Sequence, residues 1–288
     1  KPEFVGITAV SSNYCKVKEI ARKIKDSFPA CLLVLGGVHI TISPESFEKS
    51  PFDLAVRGEG ERTTLMLLKK YKEKNKLEID KISKIPGLLI KDNDRIIDTG
   101  LPELITNLDE IPIPARELLN LEYYSLPRFS AEDDIDPVGT ILTSRGCPYS
   151  CKFCSSSSFW RRKVRFFSAE RVVKEIELLY KRYKYRRIYI YDDLFSINKE
   201  RLKKIVCGLR EINLLKKIEF SVYGRANCFD SETAGLLKEM NVKTITFGFE
   251  TGSQRMLTYL KGPGILIEQG INAIKIAKRY GLKPGGFF

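Results

Sequence analysis

Val138-Gly139-Thr140-Ile141-Leu142-Thr143-Ser144-Arg145-Gly146-Cys147-Pro148-Tyr149-Ser150-Cys151-Lys152-Phe153-Cys154 is the stretch on which the reading of this chain turns. Residues 138–143 form an apolar run of strand length, and three cysteines follow at C-x3-C-x2-C spacing. A loop leaving a strand end can wrap a small inorganic body and aim three thiolates inward. Structural zinc takes four ligands, commonly as two C-x2-C or H-x3-5-H pairs. Here the sole histidine, His39, lies far upstream, and Cys15, Cys31, Cys207 and Cys228 are dispersed. A 4Fe–4S cluster held by three thiolates keeps one iron open to an outside ligand. Chance clustering of free cysteines is the third reading, and the position at a strand end argues against it.

Outward from this stretch the chain alternates strand and helix. Downstream, strands are predicted at 138–143, 187–191, 218–222, 244–249 and 283–288, with helices at 169–183, 199–212, 231–240, 253–260 and 267–280. Ser168, Asn198 and Asp230 each precede an apolar-periodic run, where a side-chain oxygen can accept a free N–H of the first helical turn. Five βα units in succession predict a barrel-type or doubly wound parallel sheet, with the chemistry on loops at the carboxyl ends of the strands.

Upstream, apolar strands at 4–10, 32–35 and 52–56 alternate with helices at 16–28 and 61–73, the pattern of a parallel sheet covered on both faces. In the first helix Val17, Ile20, Ala21 and Ile24 share a face. A short helical turn is expected at 44–49, and runs 86–90 and 95–98 flank Asp92-Asn93-Asp94 as a small hairpin. Residues 101–137 hold five prolines and little periodicity, and read as a linker or a strap. The expected organisation is 1–100, a linker at 101–137, and 138–288.

The net charge of +13 raises nucleic-acid binding. The basic residues alternate with acidic and apolar ones on helices such as 16–27 and 198–213, as on solvated helix faces, so no nucleic acid is expected. No run approaches the roughly 20 apolar residues of a membrane span, and the N-terminus lacks a signal pattern. With no signal pattern, seven cysteines argue against a disulfide framework and for a cytoplasmic protein. Cys31 and Cys207 read as small core residues. The chain opens without Met and stops at Gly285-Gly286-Phe287-Phe288, as though cut at both ends.

Ser144-Arg145-Gly146-Cys147-Pro148-Tyr149-Ser150-Cys151-Lys152-Phe153-Cys154 resembles the signature of the radical S-adenosylmethionine superfamily, including the aromatic residue before the last cysteine. The resemblance implies that Cys147, Cys151 and Cys154 bind three irons of a 4Fe–4S cluster. The fourth iron would chelate S-adenosylmethionine, which is cleaved reductively to methionine and a 5′-deoxyadenosyl radical. It implies that the backbone around Phe153 meets the adenine. It also implies that Asp192, in Tyr191-Asp192-Asp193, accepts hydrogen bonds from the methionine amino group; the alternative is that Asp193 or Asn198 merely opens a helix. Gly248-Phe249-Glu250-Thr251-Gly252 is similar to the family's G-x-E-[ST]-G stretch, which puts Glu250 at the cofactor, against a carboxylate that only favours a helix dipole. Arg225 could pair with the cofactor carboxylate or a substrate anion, or be a surface arginine. Lys261-Gly262-Pro263-Gly264 reads as a break between helices.

Val34-Leu35-Gly36-Gly37-Val38-His39, the run Phe52-Asp53-Leu54-Ala55-Val56-Arg57-Gly58-Glu59-Gly60-Glu61 and the connector Asn107-Leu108-Asp109-Glu110-Ile111-Pro112 resemble the subgroup that carries a cobalamin-binding domain. Gly36 and Gly37 would then let the nucleotide tail of cobalamin approach the strand ends. No D-x-H-x-x-G motif occurs, so His39 is expected beside the tail and off the cobalt. The implied fold is α/β: a partial Rossmann-like domain of the cobalamin-binding type, then an incomplete (β/α)6 partial TIM barrel. The implied function is cobalamin-dependent methylation of an unactivated carbon in a small-molecule substrate, with flavodoxin or ferredoxin as electron donor. Two rivals are a radical enzyme with a degenerate cobalamin domain, of the methylthiotransferase or ring-forming kind, and a zinc-containing basic nucleic-acid-binding module. The sequence names no catalytic residue that touches substrate.

Overall fold

The computed structural model describes residues 1–74, 77–93, 95–121 and 137–288. It divides into two compact units, Lys1–Thr106 and Asn107–Phe288. Of the expected linker, residues 122–136 lie outside the described residues, as does Asp94 of the expected turn. Residues 101–106 pack into the first unit, where the Ile105 amide donates to the Glu59 carboxylate at 2.7 Å. Residues from Asn107 onward belong to the second, where Arg116 pairs with Glu175 at 2.6 Å.

In the first unit β1 (Phe4–Thr8), β2 (Leu32–Gly36) and β3 (Leu54–Val56) run parallel, and β4 (Leu88–Asp92) and β5 (Arg95–Asp98) extend the sheet antiparallel. Successive side chains of a strand point to opposite faces. Leu33 and Leu35 accordingly enter one core with Val17, Ala21, Phe47 and Phe52, while Val34 enters another with Leu54, Val56, Leu67 and Leu88. Burial on both faces is why these strands read as continuous apolar runs. Ile20, expected on the buried face of its helix, is 43% exposed.

Gly37 follows β2 at φ +99°, and a Cβ there would sit 2.5 Å from Thr8 Oγ1 and 2.6 Å from the Ala9 carbonyl oxygen. The close approach of β1 therefore requires this glycine without any ligand. His39 lies on the short helix Val38–Ile42, its ring 4.0 Å from that of Tyr14 and its Nδ1 3.0 Å from Ser11 Oγ.

The second unit holds β6 (Val138–Ile141), β7 (Ser144–Arg145), β8 (Arg165–Phe166), β9 (Arg187–Ile190), β10 (Glu219–Gly224), β11 (Val242–Gly248) and β12 (Lys283–Phe287). Its main sheet runs β6-β9-β10-β11-β12, all parallel and in chain order, which is the progression of a β/α barrel. Helices Ala169–Lys181, Lys199–Glu211, Ser231–Glu239 and Ile267–Arg279 make the crossovers. Ile188, Ile190, Phe220, Val222, Ile245 and Phe247 are buried on one strand face. Tyr189, Ser221 and Thr246 alternate with them. Among the described residues no helix is long and apolar enough to cross a membrane.

The short antiparallel pair β7–β8 was not predicted, because two-residue strands leave no periodicity. Cys207, expected in the core, is exposed: Leu202, Ile205, Val206 and Leu209 form the buried stripe of its helix, and position 207 falls outside it. Cys31 is buried.

Ser168, Asn198 and Asp230 accept from the amides of Arg171, Arg201 and Thr233 at 3.1, 2.9 and 2.9 Å, as N-caps. Burial raises the Asp230 carboxyl, but Lys199 at 2.5 Å and the Thr233 amide outweigh it and bring the pKa down to about 2. A depressed folded-state pKa means the cap contributes fully above the ordinary carboxylate value of about 4 and is lost as pH falls through about 2. Asp230→Ala should lower stability by about 1 kcal/mol at neutral pH. Denaturant titrations should show this gap shrinking as pH falls from about 4 toward 2, and a gap independent of pH would contradict the assignment.

Candidate functional site

The site begins where β6 ends. Asp192, just past β9, is 1% exposed, and its carboxylate accepts from the Thr143 amide at 2.5 Å, Thr143 Oγ1 at 2.5 Å and Ser144 Oγ at 2.6 Å. Burial raises its pKa, opposed by these donors and by Arg201. Arg201, itself buried, donates to the carbonyls of Phe167 and Thr143 at 2.9 and 2.5 Å. Both oxygens of Asp192 are thus spent on the segment that leads into the cysteines.

Pairing of β7 with β8 brings the two ends of the cysteine loop together. Gly146 turns the chain at φ +97°, and a Cβ there would lie 2.1 Å from the Lys163 carbonyl oxygen. Within the loop the Cys154 amide donates to the Cys151 carbonyl at 3.1 Å, and the Lys152 amide donates to the Leu260 carbonyl at 2.8 Å. Ser156 Oγ donates to Asp193 Oδ2 at 2.7 Å.

Cys147, Cys151 and Cys154 line a cavity of about 280 Å³. Phe153, Asp192, Arg225 and Glu250 line it too, so the structure brings together the residues of this unit expected to hold a metal or cofactor. Phe153 is 53% exposed. Tyr191, Tyr223 and Phe287 form an aromatic wall, with ring centroids 5.8 and 6.1 Å apart. Burial pushes the Cys147 thiol up to about 11. A thiol in that state is protonated at neutral pH, and it must lose that proton to serve as a metal ligand.

Glu250 adopts φ 66°, a left-handed conformation that costs a non-glycine residue about 1–3 kcal/mol and clusters at functional sites. Its amide donates to the Phe287 carbonyl at 2.8 Å. Its carboxylate folds back over Gly248 to Lys261, 3.1 Å away, whose ammonium also donates to the Gly248 carbonyl oxygen. A Cβ on Gly248 would lie 2.4 Å from Glu250 Oε1. Lys261, read from sequence as part of a helix break, has a side chain only 5% exposed. Helix phase marked only its face: it stands four residues after the buried Leu257 on the same helix, Gln254–Lys261, but the Gly248 and Glu250 partners that let an ammonium be buried are marked by no periodicity.

Among the described residues no three His, Cys, Asp or Glu side chains could share one metal ion. Zinc, which draws its sulfurs to about 2.3 Å, fits this arrangement poorly. A multi-iron body, whose corners hold the thiolates apart, fits three cysteines around a cavity with a cationic side chain at one of them.

A family model described as the radical SAM superfamily matches residues 141–288, and one described as the B12 binding domain matches residues 1–68. The chain is 36% identical over 289 residues to an uncharacterised methyltransferase of Pyrococcus horikoshii, covering 100% of this chain and 60% of that protein. The chain thus spans about three fifths of that relative. In fold it is similar to the radical S-adenosylmethionine methyltransferase TsrM from Kitasatospora setae, solved with cobalamin and a [4Fe-4S] cluster bound. The TM-score is 0.76 at 19% identity, over 99% of this chain and 56% of that one. It is likewise similar to the cobalamin-dependent S-adenosylmethionine radical enzyme OxsB, solved with aqua-cobalamin and S-adenosylmethionine, at TM-score 0.77 and 22% identity over 99% and 40% of the two chains.

The tight seat of Gly146 yields a direct test. Gly146→Ala must displace the Lys163 carbonyl and adopt a left-handed backbone, at a cost of about 1–3 kcal/mol. Denaturation should show that loss, and limited proteolysis should cut residues 146–164 faster than in the unaltered protein. Equal stability would show that the loop closes less tightly than described.

Proposed function

Since this chain belongs to the radical S-adenosylmethionine superfamily, we propose that it binds a 4Fe–4S cluster, S-adenosylmethionine and cobalamin, and methylates an unactivated carbon of a small-molecule substrate. The observation that carries the proposal is the shared cavity. Three thiols, a strained glutamate and a buried arginine come from separate segments of the chain and line one space at the carboxyl ends of parallel strands, where such folds keep their chemistry. The B12-binding match over residues 1–68, the methyltransferase relative and the cobalamin-holding structures of the same fold support the cobalamin part.

A 4Fe–4S cluster held by Cys147, Cys151 and Cys154 would supply the one electron that reductive cleavage of S-adenosylmethionine to methionine and a 5′-deoxyadenosyl radical requires. The chain's own residues prepare for that event. Cys147, Cys151 and Cys154 are the thiolates for three irons. Lys261 holds the Glu250 carboxylate in one orientation at the cavity wall, ready to accept from a ribose hydroxyl or an ammonium. Asp192 acts as a brace for the cysteine loop through Thr143 and Ser144. Phe153 keeps an exposed ring and neighbouring backbone for the adenine. Beside Gly36, where a Cβ would meet nothing within 4 Å, there is room for the cobalamin tail at the sheet's carboxyl edge. A flavodoxin or ferredoxin is the proposed electron donor.

Reconstituted anaerobically with iron and sulfide, the protein should take up about four irons per chain. It should form 5′-deoxyadenosine from S-adenosylmethionine on reduction. The variant carrying Cys147→Ala, Cys151→Ala and Cys154→Ala should hold no cluster; if it kept its iron, the assignment would be wrong. Hydroxocobalamin should co-elute with the protein in gel filtration. Its loss, with cofactor cleavage intact, would favour a radical enzyme whose N-terminal domain no longer binds cobalamin.

A further inference from the structure

Arg225 is 8% exposed, and a charge buried that deeply needs partners. Among the described residues its hydrogen-bond acceptors are an amide oxygen and a sulfur rather than a carboxylate. Nε donates to Asn227 Oδ1 at 2.9 Å, and Nη1 donates to Cys151 Sγ at 3.2 Å. The ring of Tyr149 lies under the guanidinium, 3.8 Å from Cζ to centroid. Tyr149 belongs to the cysteine motif itself, between Cys147 and Cys151, and its hydroxyl is 2.9 Å from Cys228 Sγ. The Cys228 amide in turn donates to the Arg225 carbonyl at 2.9 Å. The strand-end segment 225–228 and the cysteine motif therefore interlock, with the guanidinium clamped between them.

A thiol is a weak acceptor, whereas a thiolate bonded by a cationic donor makes a strong charge-assisted hydrogen bond. The clamp fixes the guanidinium in the one place where its charge and one N–H serve the sulfur of Cys151. Hydrogen bonds and positive charge at cluster sulfurs stabilise the more electron-rich, reduced state and so raise the reduction potential.

Resting on the cluster reading above, we propose that Arg225 is a positioning residue. Held by Tyr149 and Asn227, it donates to the Cys151 thiolate and raises the potential at which the cluster accepts its electron. This differs from a grip on the cofactor carboxylate, because it operates before S-adenosylmethionine is present.

The test is a redox titration of the reconstituted protein without S-adenosylmethionine, with titanium(III) citrate supplying one electron per cluster and electron paramagnetic resonance reading the reduced state. Arg225→Met should keep its iron and show a lower midpoint than the unaltered protein. Arg225→Lys, which retains charge without the planar fork, should fall between the two. Asn227→Ala, which frees the guanidinium from one side of its clamp, should shift the midpoint in the same direction by less, and it decides the question alone if Arg225→Met loses its cluster. An unmoved midpoint on a full complement of iron overturns the proposal, as does an unmoved midpoint with weakened S-adenosylmethionine binding, which would place Arg225 on the cofactor. Failure of the unaltered protein to take up a cluster overturns the reading beneath it as well, and iron analysis separates that outcome from the others.

Discussion

The second unit is organised around one buried carboxylate. Asp192 lies just past β9 and takes hydrogen bonds from the backbone and side chain of Thr143, just past the neighbouring strand β6, and from Ser144, which opens β7. A charge so removed from water is tolerated only when its lone pairs are filled and a counter-charge is near. Three donors and the buried Arg201 meet both conditions. Because all three donors belong to the two residues that open the cysteine loop, the geometry of the loop is tied to the sheet rather than to the loop's own sequence. Hydrogen bonds of this kind are mutually reinforcing in a low-dielectric interior, and the arrangement is rigid where a site needs rigidity.

Much of this was legible in the sequence. Apolar runs of strand length, Ser168, Asn198 and Asp230 at helix starts, and three cysteines directly after a strand are local patterns, and local patterns survive folding. Asp192 was legible as a residue of the site by its strand-end position, but the direction of its carboxylate was not. That depends on Thr143 and Ser144, forty-nine and forty-eight residues earlier in the chain. The β7–β8 pair and the burial of Lys261 were missed for the same reason. Each depends on one long-range partner, Phe166 for Ser144 and the Gly248 carbonyl for Lys261, that no periodicity announces. Cys207 failed differently: residue type suggested burial, while its phase on the helix put it outside the stripe set by Leu202, Ile205, Val206 and Leu209.

Glu250 illustrates how a site stores what its chemistry needs. A left-handed glutamate at a strand end is unfavourable in isolation. Here two backbone groups and a buried ammonium over-determine it: its amide on the Phe287 carbonyl, and its carboxylate on Lys261, which is tied in turn to the Gly248 carbonyl. The outcome is a carboxylate whose orientation is set before any ligand arrives, which reduces the reorganisation that binding requires.

The glycines of the two units answer to different demands. Gly37 belongs to a Gly-Gly turn of the kind that admits a nucleotide tail, yet its own requirement comes from Thr8 and Ala9, which leave no space for a Cβ. Gly146 is likewise demanded by the Lys163 carbonyl. At both positions the protein alone accounts for the residue, so neither glycine carries information about a ligand. Gly36 is different: among the described residues a Cβ there would meet nothing within 4 Å. Gly36, at the carboxyl edge of the parallel sheet, is open on the side where a Cβ would stand, and the close packing that fixes Gly37 does not reach it.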